Sequence, residues 1–158
     1  MKEWNVQAAV HTLRERAAPH TPPYGHGRCA EYTRIAIEAG FGGAQIPHTE
    51  HAKDYGPIQI AEGFLSLGRL PGAFLAGDVA VIEALPRKAP HGHMCMFDGN
   101  EWISDFWQLH GTDGFYPGPG YRLLRPPYVI YRHPPPRPHP FESATRNPFA
   151  RPSPRPSS

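Results

Sequence analysis

The chain of 158 residues has only two cysteines, Cys29 and Cys95. That is too few for a disulfide framework; they can form one bridge at most, and their number leaves the redox compartment open. No apolar run approaches the length of a membrane span, so membrane insertion is not expected. The segment Met1–Pro19 has no apolar core of signal-peptide length. The chain is therefore expected to be made in the cytoplasm and to reach any other compartment by a route other than general export. Charge of one sign is also missing. The formal net charge is +2, and the segment 134–158 alone carries four arginines against Glu142. Residues 1–133 are thus left at about −1, which excludes a basic nucleic-acid-binding domain.

Proline is abundant, but unevenly placed. Nine of the 21 prolines fall between Pro134 and Ser158, with Ser and Arg and almost nothing aliphatic. Such a stretch cannot bury enough apolar surface to offset its ordering entropy, and it reads as a disordered or polyproline-like tail. Residues 1–133 are long enough for one domain with a single core.

Within that domain Asn5 is placed to cap a first helix whose Ala8, Ala9, Val10, Leu13 and Ala17 form an apolar stripe, with Pro19 as the stop. A loop full of breakers, His20–Gly27, precedes a second helix expected over Arg28–Ala39, with Gly40 as its C′ residue. Cys29 falls in its first turn, on a face shared with Tyr32, Ala36 and Ala39. Thr49 is a candidate cap for a short third helix ending at Gly56, and Pro57 opens another turn through Glu62. After Gly63 the pattern becomes strand-like. Val79–Ile82 reads as a short apolar strand, His93–Phe97 and Glu101–Phe106 flank the hairpin signal Asp98-Gly99-Asn100, and Tyr128–Arg132 reads as a last strand. A Gly- and Pro-rich loop, Tyr116–Gly120, lies before it. Helices followed by an antiparallel sheet make the fold class α+β, with the helices on one side of the sheet.

Cys29 is the first candidate for chemistry. A thiol attacks only as thiolate, and a helix N-terminus or a nearby imidazolium favours that form. The Gly-rich approach, Tyr24-Gly-His-Gly27, allows backbone amides near a substrate. The Cys29 amide and one from the Gly25–Arg28 loop are candidate oxyanion donors. A small buried hydrophobe is the bland alternative for any free cysteine. The hairpin supplies the base. With a three-residue loop, Phe97 faces Glu101, Cys95 faces Ile103 and His93 faces Asp105, which sets an imidazole beside a carboxylate. A two-residue turn instead sets His93 opposite Ser104 or Phe106. His91 reads as a rim residue, and His48 and His51 as ordinary polar residues at a helix start. The string His91-x-His93-x-Cys95 can chelate zinc on one strand face, but no second ligand cluster completes it, so neither a metal nor another cofactor is expected.

The segment Gly27-Arg-Cys-Ala-Glu-Tyr-Thr-Arg-Ile-Ala-Ile-Glu-Ala-Gly40 resembles the nucleophile helix of NlpC/P60- and CHAP-like papain-fold peptidoglycan amidases. Gly77–Ile82 resembles the strand before their histidine strand, and Gly92–Phe106 their histidine strand, hairpin and following strand. With His51–Pro57 and Tyr128–Tyr131, the resemblance is closest to small amidase effectors delivered by type VI secretion. It spans roughly Asn5 to His133 and omits the tail.

The resemblance implies a cysteine amidase or DL-endopeptidase that hydrolyses an amide of the peptidoglycan peptide stems. Cys29 would be the nucleophile, His93 the general base and acid, and Asp105 the third residue. It also implies delivery into the periplasm of a target bacterium by type VI secretion components, and a cognate immunity protein. Tyr24, Tyr55, Trp102 and Trp107 are candidates to line a peptide groove, and Arg28 or Lys53 to bind a stem carboxylate. Three other readings use the same residues: a cysteine protease or transferase acting on proteins, a zinc hydrolase, and an inactive binding module on this scaffold.

Overall fold

The computed structural model describes residues 2–135. From residue 136 on, the segment read above as a tail lies outside the described residues. The element order is α1 (Val6–Arg16), α2 (Cys29–Gly40), a 3₁₀ turn at Ala52–Asp54, α3 (Gly56–Ala61), β1 (Leu65–Ser66), β2 (Val79–Ile82), β3 (His93–Phe97), β4 (Trp102–Ile103), α4 (Pro119–Leu124) and β5 (Tyr128–Arg132).

Asn5 caps α1 as its position suggests: its side chain accepts from the Ala8 amide at 3.1 Å. Ala9, Val10 and Leu13 form the buried stripe. The second helix runs one residue past its expected end, through Gly40, and Phe41 closes it with bonds to the carbonyls of Ile37, Glu38 and Ala39. Gly40 is therefore not a C′ glycine. It packs against the Trp4 ring, where a Cβ would overlap the indole. The buried stripe of α2 is Thr33, Ala36, Ile37 and Gly40 rather than the Tyr32 face, because α1 and the sheet approach from that side. No α-helix starts at Thr49; the chain makes only the single 3₁₀ turn after His51 before α3.

The five strands form one antiparallel sheet in the order β1-β5-β2-β3-β4. Every residue of β2 is buried, so both faces of the sheet are covered. On one face Val79, Val81, Met94 and Met96 pack under the two long helices with Trp4, Leu13, Ile37 and Phe41. On the other, Ala80, Ile82, Cys95 and Ile130 meet an aromatic layer that includes Trp102, Phe115, Tyr116 and Tyr121. Tyr121 belongs to α4, a helix that the Tyr116–Gly120 breakers hide from pattern reading. Asp78, fully buried, accepts both Nε and a terminal nitrogen of Arg132 at 2.8 and 2.7 Å, tying the start of β2 to the end of β5.

The β3–β4 hairpin differs from its expected register. Asp98 Oδ1 accepts from the amides of Asn100 and Glu101 at 2.8 and 2.7 Å, so Glu101 belongs to the loop. The loop has four residues and the register is Phe97↔Trp102 and Met96↔Ile103, one position away from the pairing that set His93 against Asp105. The strand expected to reach Phe106 stops at Ile103. The chain reverses through Ser104 and Asp105, and a returning limb pairs Ile103 with Trp107 and bonds Trp102 to Gln108 and Leu109.

In a solvent-exposed helix, Gly→Ala stabilises by roughly 1 kcal/mol. At Gly40 the sign is expected to reverse, with Gly40→Ala losing about 1–3 kcal/mol because the Trp4 ring is buried and cannot yield. Urea unfolding measures it, and a neutral or stabilising result contradicts the packing described.

Candidate active site

Cys29 is the first residue of α2, so its side chain stands among the unpaired amides of the helix start. The helix is seated on β3 by Thr33, whose hydroxyl donates to the Cys29 carbonyl at 2.8 Å and lies 3.3 Å from the Met94 carbonyl. That contact sets the thiol beside the first residue of β3, His93, which is buried. Burial alone would raise the Cys29 pKa. The charge and hydrogen bond of the His93 ring, with the Met94 amide, outweigh it and hold the thiol below its ordinary value, although Asp105 acts in the opposite direction. For His93 burial would lower the pKa, and its charge pairing and hydrogen bond with Cys29, joined by contact with Cys95, carry it well above the ordinary imidazole value. The two groups therefore favour a thiolate–imidazolium pair.

The orienting partner of His93 is Gln108. His93 Nε2 and Gln108 Oε1 are 2.7 Å apart. The Gln108 amide nitrogen donates to the carbonyls of Gly114 and Phe115, both at 3.0 Å. Two carbonyl acceptors can be served only by an NH2 group, so Oε1 must face the ring and Nε2 must carry a proton. The network leaves Nδ1 as the nitrogen that exchanges a proton with Cys29. The Cys95 thiol is buried and donates to the same Phe115 carbonyl at 3.5 Å. Both cysteines are free.

Asp105, expected to face the His93 ring, is held elsewhere. Its Oδ2 accepts from the amides of His26 and Arg28 at 2.6 and 3.0 Å, and the Ser104 hydroxyl lies 3.3 Å from Oδ1. The cause is the longer hairpin loop and the reversal after Ile103, which turn this carboxylate toward the loop that leads into α2. Asp105 lies in the cleft near Cys29, but its hydrogen bonds clamp that loop. At Gly25 a Cβ would stand 2.8 Å from both Asp105 oxygens, and φ is +89°, so the clamp also requires glycine there. The amides of His26 and Arg28 are thus occupied, and only those of Gly25, Gly27 and Cys29 remain from the loop as oxyanion donors.

Two arms of one cleft meet at Gly27, Cys29 and His91. The first is lined by Arg28, Glu31, Arg34, His48, Glu50 and Tyr55. The second is lined by Tyr24, Lys88, His93, Phe106, Pro117 and Tyr121. Of the aromatic groove candidates, Tyr24 and Tyr55 line it, Trp102 is fully buried in the core, and Trp107 packs against Arg14 away from the cleft. Arg28 lines the first arm; Lys53 lines neither. His91 stands at the rim as expected, its ring stacked on His51 and joined to it through the Nδ1 atoms. Among the described residues, no group of three or more His, Cys, Asp or Glu side chains is gathered to hold a metal ion.

A thiol at a helix start, a buried imidazole and an amide that fixes its tautomer form an arrangement able to support nucleophilic catalysis. No protein-family model and no curated protein matches the chain. Solved structures do. The type VI native effector–immunity complex Tae3–Tai3 from Ralstonia pickettii matches at 44% identity and a TM-score of 0.69, over 83% of this chain and 100% of that one. A selenomethionine structure of the same complex matches at 46% identity and a TM-score of 0.64, over 78% and 98% of the two chains. The chain belongs to the Tae3 family of type VI secretion effectors.

Gln108 was not picked out by sequence reasoning. Its one signal is an amide within the apolar run Phe106-Trp-Gln-Leu109, the kind of buried polar residue that needs a specific partner. Gln108→Leu is expected to lower the His93 titration midpoint, followed by NMR, because the imidazolium loses its acceptor. Asp105→Ala is expected to cost about 2 kcal/mol or more in urea unfolding by leaving two loop amides unpaired, and Asp105→Asn less. A larger shift of the His93 midpoint from Asp105→Asn than from Gln108→Leu would reverse the assignment.

Proposed function

We propose that this chain is a cysteine peptidoglycan amidase, an antibacterial type VI effector that cleaves an amide in cell-wall peptide stems. Membership in the Tae3 family supports the effector reading. The arrangement of Cys29, His93 and Gln108 in one cleft carries the chemical one.

His93 Nδ1 takes the Cys29 proton, and the thiolate attacks the scissile carbonyl to form a C–S bond. The oxyanion is held by the Cys29 amide and by a free amide of the Gly25–Gly27 stretch, and the helix start adds to the stabilisation. The C–N bond breaks as His93 returns the proton to the departing nitrogen. Water, deprotonated by His93, then opens the thioester to a carboxylate and restores the thiol. Gln108 keeps the ring in the tautomer that permits both transfers. Asp105 acts as a positioning residue, holding the loop that precedes the nucleophile.

The effector acts in the periplasm of the target cell and has an immunity protein as its partner, as the relative does in its effector–immunity complex. Among the described residues no helix is long and apolar enough to cross a membrane.

Digestion of purified Gram-negative sacculi, with products read by mass spectrometry, tests this reading. The wild-type protein is expected to release new muropeptides whose masses locate the bond cut. Cys29→Ala is expected to lose at least 10³-fold in rate, an order of magnitude set by removal of a covalent nucleophile, and a chelator is expected to have no effect. Release by Cys29→Ala at the wild-type rate, or no new product from wild type, overturns it.

A further inference from the structure

The cleft has a direction. Cys29 and Gly27 line both arms, but His93 opens only into the second. In the mechanism above, on which this inference rests, the imidazole must deliver its proton to the departing nitrogen. The departing half of the substrate therefore lies in the arm that His93 lines, and the acyl half lies in the arm of Arg28, Glu31 and His48.

The second arm is walled by the rings of Tyr24, Phe106 and Pro117, with the exposed Lys88 at its mouth. Asp105, whose carboxylate is bound to the His26 and Arg28 amides, also borders this arm, as does Tyr121. Tyr121 is only 8% exposed, and its ring centroid lies 6.1 Å from that of His93. Its neighbours in the aromatic layer satisfy their hydroxyls within the protein: Tyr116 donates to the Pro126 carbonyl at 2.7 Å and Tyr128 to the Leu70 carbonyl at 3.3 Å. The Tyr121 hydroxyl has no such bond among the described residues, and the residue lines the cleft. The hydroxyl oxygen is not sealed from solvent, so water or a ligand in the cleft completes its hydrogen bonding. Burial, and secondarily the nearby Cys29, raise its pKa, so it remains a protonated donor wherever the thiolate is formed.

We infer that the second arm is the leaving-group subsite, and that the Tyr121 hydroxyl donates a hydrogen bond to an acceptor oxygen of the amino acid whose nitrogen departs. That amino acid carries a carbonyl or carboxylate next to the scissile nitrogen, and Lys88 gives the arm a cation for the charged case. Tyr121 takes no part in proton transfer. It determines which departing residue is accepted.

The test uses the full chain and two soluble muropeptides with the same acyl half, built on the bond found in the sacculus digest. One keeps the natural departing residue; the other ends in an unsubstituted amide. Tyr121→Phe removes only an oxygen that bonds to nothing in the described protein, so the fold is retained. The variant is expected to lose about tenfold in kcat/KM on the full substrate, the scale of one hydrogen bond. On the truncated substrate it is expected to lose less than about twofold, with Cys29 alkylated by iodoacetamide at the wild-type rate. Equal losses on both substrates, or no loss on the full one, overturn the assignment. Failure of the underlying mechanism shows separately, as wild-type protein inert on sacculi or Cys29→Ala fully active.

Discussion

The site depends on how the first turn of α2 is seated against the start of β3. The Thr33 hydroxyl spans the junction, 3.3 Å from the Met94 carbonyl, and the helix side of the sheet closes around Met94 and Met96. This seating brings a half-buried thiol at the cleft floor together with a buried imidazole. In that setting each group's charged form is tolerated because the other is charged as well. The helix start reinforces the thiolate without a dedicated residue.

Around this pair the polar work is divided between two side chains on the limb that follows β4. Gln108 has a neutral amide, and its NH2 group is saturated by two carbonyls. Its oxygen can therefore only accept from the His93 ring, which fixes a tautomer without adding a buried negative charge beside the thiolate. Asp105 is the carboxylate that does lie near the thiol and opposes its ionisation, and its oxygens are engaged by two backbone amides of the loop entering α2. A carboxylate suits this task because one acceptor group can gather two donors. The segment after α1 braces the same limb: the Ala18 amide donates to the Asp105 carbonyl at 2.9 Å and the Trp107 amide to the Ala18 carbonyl at 2.8 Å. The helical layer, the loop and the reversal thus hold one another in place.

The helices α1 and α2 and the strands β2, β3 and β5 were legible, and Cys29 and His93 stood out as candidates, because each rests on a local pattern. Capping at Asn5, apolar runs at Val79–Ile82 and Tyr128–Arg132, and a cysteine just after a Gly-rich loop all act over a few residues. Asp105 and Gln108 were not separable in that way. A single hydrogen-bonding residue, Asp98, admits Glu101 to the hairpin loop and moves the register by one, and in a strand one step changes every partner. The reversal at Ser104 has no Gly or Pro to announce it, and it depends on pairing with Ala18, far away in sequence. The short helix α4 was hidden for a related reason. Its Pro119-Gly120 start reads as loop, and it is helical because Tyr121 packs into the aromatic layer of the second core. Gly40 was recognised as special, but for the wrong cause, since only the packed structure shows the Trp4 ring against it.

The central claim is that Cys29 and His93 form a thiolate–imidazolium pair, and the pH dependence of Cys29 alkylation by iodoacetamide tests it most directly. A thiol whose pKa is lowered in the folded protein stays reactive as pH falls below the range in which free cysteine, measured in parallel, has become inert. The wild-type inflection is therefore predicted to lie below that of free cysteine. In His93→Ala the imidazolium is gone, so the inflection is predicted to rise towards that of free cysteine. A wild-type inflection at or above that of free cysteine, or one that His93→Ala leaves in place, would contradict the account.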